Sequence, residues 1–63
     1  MYNIGQLVTA VDPEGRFARG EITSRDRGAD GSILYYEIRN LVSGISQIIS
    51  PDVYSFRLGI HDA

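Results

Sequence analysis

Turn-forming residues interrupt this sequence at short, regular intervals, and no other feature limits its fold as strongly. Asp, Pro, Gly and Ser cluster at residues 12–15, 28–31, 42–44 and 50–52, and these residue types favour tight turns. The intervals of roughly 8 to 16 residues leave no stretch that reads as a helix. We therefore predict an all-β protein, either a sandwich or a barrel.

The segments between the turns alternate apolar and polar residues, as strands with one buried face do. The predicted strands cover residues 6–11, 16–25, 33–40, 47–50 and 55–58. A one-turn helix is predicted at 51–54, and a frayed C-terminal tail at 59–63. The residues expected to face the core are Val8 and Ala10 in the first strand, Ala18, Gly20 and Ile22 in the second, and Leu34, Tyr36 and Ile38 in the third.

A three-residue loop at 29–31 predicts the register between the second and third strands. Such a loop ends on a glycine in the left-handed conformation, and the sequence supplies that glycine. Counting back from the loop sets Glu21 opposite Arg39, which is an attractive cross-strand pair. The same register sets Arg25 opposite Tyr35, where the guanidinium would stack on the exposed ring.

Length and composition set limits on the function. A chain of 63 residues holds one domain, which we place at residues 1–58, ahead of the tail. Without cysteine and with one histidine, the chain has no disulfide framework and no thiolate or histidine metal cluster. It also lacks the apolar run of about 20 residues that spans a membrane, and a signal peptide. We expect a cytoplasmic protein with no cofactor and no membrane partner.

The charges point weakly toward protein recognition. All six basic residues are arginine, and the formal net charge is -2. Arginine binds planar and anionic groups through a rigid fork, which suits a recognition surface. Coding bias in a GC-rich genome is the alternative explanation of the missing lysine. The net negative charge disfavours nucleic acid as a partner.

Three segments, IGQLVTA, EGRFARGEI and SPDVY, resemble small five-stranded barrels of the Src-homology-3-like class. The resemblance covers residues 4–57 and is nearest to Tudor and KOW-type modules. It implies a five-stranded barrel with a one-turn helix before the last strand. Tudor modules hold methylated residues in an aromatic cage. By this resemblance Phe17 falls at the first cage position, whereas Ala18 replaces the aromatic residue at the second. KOW-type modules contact ribosomal RNA or polymerase.

Two motifs suggest ligand sites of other kinds. Gly15 and Gly20 form a GxxxxG, but no lysine follows to reach a phosphate, so we interpret Gly15 as a turn residue and Gly20 as a point of close backbone approach. Residues 26–37 match part of a calcium loop of the EF-hand type. The matching positions are Asp26, Asp30, Gly31, Ile33 and Glu37. A calcium loop therefore stays as an alternative function.

No arrangement of residues indicates catalysis. His61 is the only histidine and lies in the predicted tail, so a Ser, His and Asp arrangement has no support. The paired acids at 12 and 14, and at 26 and 30, lie in turns, where carboxylates serve as local hydrogen-bond acceptors. We predict that the chain is not an enzyme.

The outward face of the second and third strands is the candidate binding site. Its residues are Phe17, Arg19, Glu21, Tyr35, Glu37 and Arg39, with Arg16 and Tyr54 beside them. A solvated sheet face, whose tyrosines and arginines only cover apolar surface, is the alternative interpretation. Aromatic residues and arginine dominate protein interfaces, so we expect a binding module that docks on a protein as an adaptor or as a regulatory or inhibitory subunit. Nucleic-acid binding by the arginines and aromatics is the alternative. Leu41, Val42, Ile45 and Ile48 form a second surface, suited to a homodimer.

Overall fold

Five segments of the chain pair into one antiparallel sheet. The computed structural model describes residues 2–61. Its strands are β1 at Leu7–Val11, β2 at Phe17–Arg27, β3 at Ile33–Arg39, β4 at Ser46–Ile49 and β5 at Ser55–Leu58, in the order β4-β3-β2-β1-β5. The all-β prediction is confirmed. Over residues 2–61 the chain forms no helix of the length and apolarity needed to cross a membrane.

The long strand β2 belongs to two halves of the sheet. Its first part, residues 17–21, pairs with β1, which in turn pairs with β5. Its second part, residues 21–27, pairs with β3, which in turn pairs with β4. We call these the β5 half and the β4 half. They meet near Gly20, where an added Cβ would overlap the backbone carbonyl of Arg39, so the predicted close approach at Gly20 is confirmed.

One face of the sheet forms the core. Seven hydrophobic residues on it are buried: Val8, Ala10, Ala18, Ile22, Tyr36, Ile38 and Ile49. The predicted inward positions are therefore confirmed in the first two strands. In the third strand Leu34 is 50% exposed, so its assignment to the core is wrong. Ile33, its neighbour, packs against the core instead.

Aromatic contacts show how strongly the sheet coils. In a flat sheet β3 and β5, three positions apart, would lie about 14 Å from each other. Yet the ring centroids of Tyr36 on β3 and Phe56 on β5 are only 5.2 Å apart. Tyr2 stacks on Phe56 at 5.4 Å and meets Tyr36 edge-on at 6.0 Å. The coiled sheet thus brings its two halves together around these three rings.

The predicted register of β2 and β3 is confirmed at one end and wrong in the middle. Glu21 lies opposite Arg39, as expected. Arg25, however, lies opposite Tyr36 instead of Tyr35, because β2 carries an extra residue at Thr23. Such a bulge adds local twist, and a long strand shared by two halves of a coiled sheet requires it.

A second bulge, in β3, restores the register near the hairpin loop. The pairing shifts between Asp26 and Arg27, which leaves Leu34 as the extra residue and turns it away from the core. Beyond it, the Gly28 amide donates to the Ser32 carbonyl at 2.8 Å, as the three-residue loop requires. Gly31 has φ +85°, so the left-handed glycine is confirmed.

Barrel closure and the one-turn helix were both expected, and the structure departs from both. The strands β4 and β5 lie at opposite edges of the sheet order, so the sheet stays open. Residues 51–54 form a turn instead of a helix. The Ser50 carbonyl accepts hydrogen bonds from the amides of Val53 at 3.2 Å and Tyr54 at 3.0 Å. A single hydrogen-bonded turn is not a stable helix, because the first turn costs more conformational freedom than its bonds return.

The residues that follow β5 are hydrogen-bonded to β1. The Gly59 amide donates to the Leu7 carbonyl at 2.8 Å. The Thr9 hydroxyl donates to the Gly59 carbonyl and accepts the His61 amide, both at 2.9 Å. The expectation of fraying therefore does not hold for residues 59–61, while 62 and 63 lie outside the described residues.

Candidate functional site

The predicted outward face exists, but its residues are spread along the molecule. Phe17 lies opposite Val11 at the start of β2, and Tyr35 lies opposite Asp26 near its other end. At about 3.3 Å per residue, nine positions along β2 span about 30 Å, close to the 34 Å length of the molecule. Phe17 and Tyr35 therefore cannot contact the same small epitope. Arg39, exposed and opposite Glu21, lies between them.

The Tyr35 end of this face is acidic. The negative charge of Asp26 raises the pKa of the Tyr35 hydroxyl, with smaller contributions from burial, a hydrogen bond to Asp26 and the charge of Glu37. Glu37 also accepts a hydrogen bond from the Thr23 hydroxyl at 2.9 Å. An acidic and hydrogen-bonded surface of this kind would repel phosphate groups.

Arg16 belongs to the β1–β2 turn instead of the outward face. Its Nε donates to Asp12 Oδ2 and its Nη2 to Glu14 Oε2, both at 2.8 Å. Burial alone would raise the pKa of Asp12, but hydrogen bonds from the Arg16 amide and guanidinium and from the Glu14 amide outweigh it and hold that pKa below its usual value. The guanidinium thus stabilises the turn.

Two further side chains also have structural roles. Tyr54, predicted beside the face, packs against the buried core cluster. Arg25, predicted to stack on Tyr35, instead donates through Nη1 to the Tyr2 carbonyl at 2.9 Å and to Asn3 Oδ1 at 3.3 Å. The bulge in β2 redirects Arg25, so that it binds the N-terminal segment to the sheet.

Of the predicted site residues, Arg19 contacts both an aromatic ring and the segment that follows β5. Its guanidinium carbon is 5.8 Å from the centre of the Phe17 ring, within the range of a cation–π contact. Its Nη1 donates to the His61 carbonyl at 3.0 Å. Pairing through Thr9 aligns Arg57 with Arg19 across three strands. This end of the face is basic and aromatic, in contrast to the Tyr35 end.

A cleft of about 260 Å³ lies beside Arg19. It is lined by Arg19, Gly20, Asn40, Leu41, Val42 and Ile60. Thus β2, the loop between β3 and β4, and the segment after β5 each contribute a wall. The three aliphatic side chains are exposed, and Val42 is 98% exposed.

The loop that carries two of these aliphatic residues is held by Asn40. Its Oδ1 accepts the amides of Val42 at 2.8 Å and Ser43 at 2.9 Å. The Asn40 carbonyl also accepts the Gly44 amide at 2.8 Å. Such hydrogen bonds fix an Asx-type turn, so Leu41 and Val42 project from a defined backbone.

The size and polarity of the cleft limit what it can bind. Small-molecule sites usually enclose about 300–1,000 Å³, and this cleft is smaller and open to solvent. Its lining is mainly apolar, with Arg19 and Asn40 as its polar residues. It suits an apolar side chain of a partner, which is how anchoring residues bind at protein interfaces.

The residues of this cleft differ from the sites expected from the sequence. Leu41 and Val42 were predicted for self-association, apart from Arg19, and Ile60 was placed in the tail. An isoleucine in an otherwise polar terminus was a signal that the tail packs on the domain. The contact of Arg19 with this tail depends on the Thr9 hydroxyl, which binds the tail opposite Arg19, and local pattern does not reveal it.

The calcium alternative loses its structural basis. An EF-hand requires a helix on each side of its loop, whereas residues 26–37 form the hairpin of β2 and β3. Asp30 Oδ1 is occupied by the Ser32 amide at 3.0 Å and hydroxyl at 2.6 Å. Within residues 2–61, no three His, Asp or Glu side chains are grouped as metal ligands.

No protein-family description, curated protein or solved structure matches this chain. A functional assignment therefore rests on the geometry of the chain itself. The cleft at Arg19 and the face around it are the features that carry it.

Proposed function

We propose that this chain is a non-enzymatic binding module that docks on a protein through the cleft beside Arg19. The observation that carries the proposal is the apolar lining of this cleft by Leu41, Val42 and Ile60, three exposed residues from two distant segments of the chain. Exposed aliphatic residues are common singly, but a concave group of them beside an arginine and an aromatic ring is typical of an interface centre.

The lining favours a partner with one protruding apolar side chain. That side chain would fill the cleft, and Phe17 and Arg39 would contact its surroundings. The carbonyl of His61 already accepts a hydrogen bond from Arg19, which orients the guanidinium before binding and lowers the entropic cost of ordering it. Such a module would act as an adaptor or as a regulatory or inhibitory subunit.

We also infer that the coiled sheet is an open barrel of the Src-homology-3-like class. Its strand order and the sharing of the long strand β2 between two halves support this assignment. The contact between Tyr36 and Phe56 across the core supports it as well. Fold alone does not identify a partner, so the docking proposal rests on the cleft.

Nucleic acid is the second candidate ligand. The alignment of Arg57 and Arg19 next to Phe17 favours it, because arginine and aromatic side chains bind phosphates and stacked bases. Glu21 and the acidic Tyr35 end lie on the same face and oppose it. If nucleic acid is the ligand, affinity for single-stranded oligonucleotides should fall steeply between 50 and about 200 mM salt. Absence of binding at the lower salt concentration, or an affinity that does not change with salt, would exclude this candidate.

The docking proposal is tested by one substitution in the cleft with a matched control. Val42→Asp places a charge in the cleft. Because Val42 is exposed, the substitution should not change the stability of the fold. Val53→Asp makes the same change at a 55% exposed valine in the turn before β5. We expect Val42→Asp to reduce capture of the partner from source-cell extract at least about tenfold, and Val53→Asp to leave it unchanged.

The captured protein is then purified, and its affinity for the three chains is measured by calorimetry. Equal affinity for the Val42→Asp variant and the unaltered chain would contradict the proposed cleft. Binding that both aspartate variants lose equally would indicate a charge effect without a defined site.

A further inference from the structure

The open edge of β4 presents unpaired backbone groups. The Asn40 amide donates to the Ile45 carbonyl at 2.9 Å, continuing the ladder between β3 and β4. Hydrogen-bonded pairs alternate along an antiparallel ladder, so Gln47 and Ile49 also direct their backbone groups to β3. Ser46 and Ile48 then direct theirs to the open edge. Among the described residues, no hydrogen bond from outside the ladder is made to these groups.

The edge of β5 is different. The Gly59 amide donates to the Leu7 carbonyl, so the same alternation directs the carbonyls of Phe56 and Leu58 to the outer edge. Both are occupied. The Tyr2 hydroxyl donates to the Phe56 carbonyl at 3.3 Å, and His61 Nε2 contacts the Leu58 carbonyl at 2.7 Å. Since a carbonyl can only accept, that contact requires a proton on Nε2.

The β4 edge also lacks the charges that usually protect an exposed strand. From residue 41 to residue 50 the sequence LVSGISQIIS contains no charged residue and no proline. Natural edge strands commonly carry lysine, proline or a bulge that prevents pairing with another chain. Instead, Ile45 and Ile48 are 66% and 59% exposed beside this edge.

We propose that β4 pairs with β4 of a second copy of this chain, forming a symmetric dimer with a continuous ten-stranded sheet. A two-fold axis at Gln47 sets Ser46 of one copy opposite Ile48 of the other. These are the residues whose backbone groups point outward, so the pairing forms four new backbone hydrogen bonds. The uncharged segments meet without like-charge repulsion.

The geometry favours a second copy over an unrelated strand. The outward groups at Ser46 and Ile48 are symmetric about Gln47, so each copy supplies donors and acceptors at the spacing that the other needs. The segment carries no charge that would select an oppositely charged partner. In the same register, Ile45 of each copy lies opposite Ile49 of the other.

The β4 edge and the docking cleft are separate surfaces. Leu41 and Val42 line the cleft, whereas Ile45 and Ile48 lie along the β4 edge. The four residues predicted for self-association thus divide between two surfaces. Loss of one function by substitution should leave the other intact, and Val42→Asp should not change the mass of the assembly.

The experiment is sedimentation of the full chain from low micromolar to about 1 mM concentration. Ile48→Lys adds an edge charge on the exposed face, and Ser46→Pro removes an outward amide without touching the ladder to β3. Leu58→Lys is the matched control, because Leu58 is 58% exposed on the other edge strand. Circular dichroism verifies that each variant keeps the β fold.

The unaltered chain should approach twice its 7.0 kDa mass as its concentration rises. We expect Ile48→Lys to raise the dissociation constant at least about tenfold, which is about 1.4 kcal/mol, and Ser46→Pro to do the same. Leu58→Lys should dimerise like the unaltered chain. A monomer at all concentrations, or equal weakening by Leu58→Lys, would overturn the proposal. If Ser46→Pro misfolds, the comparison of the two lysine variants decides.

Discussion

The two edges of the sheet carry the same kind of strand and are protected differently. Both edge strands are four residues long and contain exposed aliphatic side chains. On β5, a hydroxyl and an imidazole from the two ends of the chain occupy the outward carbonyls. On β4, the corresponding groups have no such contact among the described residues. The segments that flank the sheet therefore cover one of its edges and leave the other open for assembly.

The difference follows from where the terminal segments lie. Tyr2 reaches β5 because it stacks on Phe56. His61 reaches it because Gly59 and Thr9 hold the tail against β1. Both contacts are made with the β5 half of the sheet. Protection of the β5 edge is thus a consequence of packing within the β5 half itself.

The largest expected effect concerns the junction that separates the two halves. Gly20→Ala should lower the free energy of unfolding by about 3 kcal/mol or more, because the new Cβ would overlap the Arg39 carbonyl and force the halves apart. Gly15→Ala is the control, since Gly15 has positive φ but open space around it, and should cost about 1–2 kcal/mol. Urea denaturation measures both. Equal losses would show that the close approach does not constrain the fold.

A smaller effect is expected from opening the protected edge. His61→Ala removes the contact with the Leu58 carbonyl and should destabilise the fold by about 1 kcal/mol. With both edges open, the chain should form assemblies larger than a dimer at high concentration, which light scattering detects. Tyr2→Phe keeps the ring contacts and loses only the longer bond to Phe56, so it should have a weaker effect. A His61→Ala protein with unchanged mass would contradict the protective role.

The smallest effect should appear only in acid, at the turns of the two halves. Asp12, in the turn of the β5 half, accepts from Glu14 and Arg16, and Asp30, in the turn of the β4 half, accepts from Ser32. The pKa of each carboxyl is lowered in the folded chain: at Asp12 the Arg16 and Glu14 hydrogen bonds outweigh burial, and at Asp30 the Ser32 hydrogen bonds are the main cause. Their contribution is thus present above the unfolded pKa of about 4 and is lost as pH falls through the folded value.

Thermal melts between pH 7 and pH 2 should therefore show a fall in Tm that begins near pH 4. Asp12→Asn should flatten the pH dependence of Tm more than Asp30→Asn, because Asp12 accepts more hydrogen bonds and also forms an ion pair with Arg16. A Tm that rises toward pH 2, or an unchanged profile in Asp12→Asn, would contradict the assignment.

Local sequence pattern predicted the five strands of the fold. Alternation identified the inward residues of β1 and β2, because successive side chains of a strand point to opposite faces of the sheet. Opposite charges placed Glu21 against Arg39 correctly. The two bulges were missed, because their positions depend on how far β2 must twist to serve both halves. For that reason Leu34 and Arg25 were assigned wrong surroundings.

The candidate site was only partly predictable. Arg19 and Phe17 were identified from residue type, and Leu41 and Val42 as exposed apolar residues. Ile60 lies beside these residues because the Thr9 hydroxyl binds the tail. Thr9 points outward from the sheet, and the tail buries it. A contact that depends on mutual burial of distant segments leaves no periodic signal in either one.

Residue-resolved amide hydrogen exchange at low and high protein concentration distinguishes the open β4 edge from the covered β5 edge. Dimer formation through β4 predicts that exchange at the Ser46 and Ile48 amides slows as concentration rises. The outward amides of Phe56 and Leu58 on β5 should exchange at the same rate at both concentrations. Protection that grows on β5 instead, or on neither edge, would contradict the account.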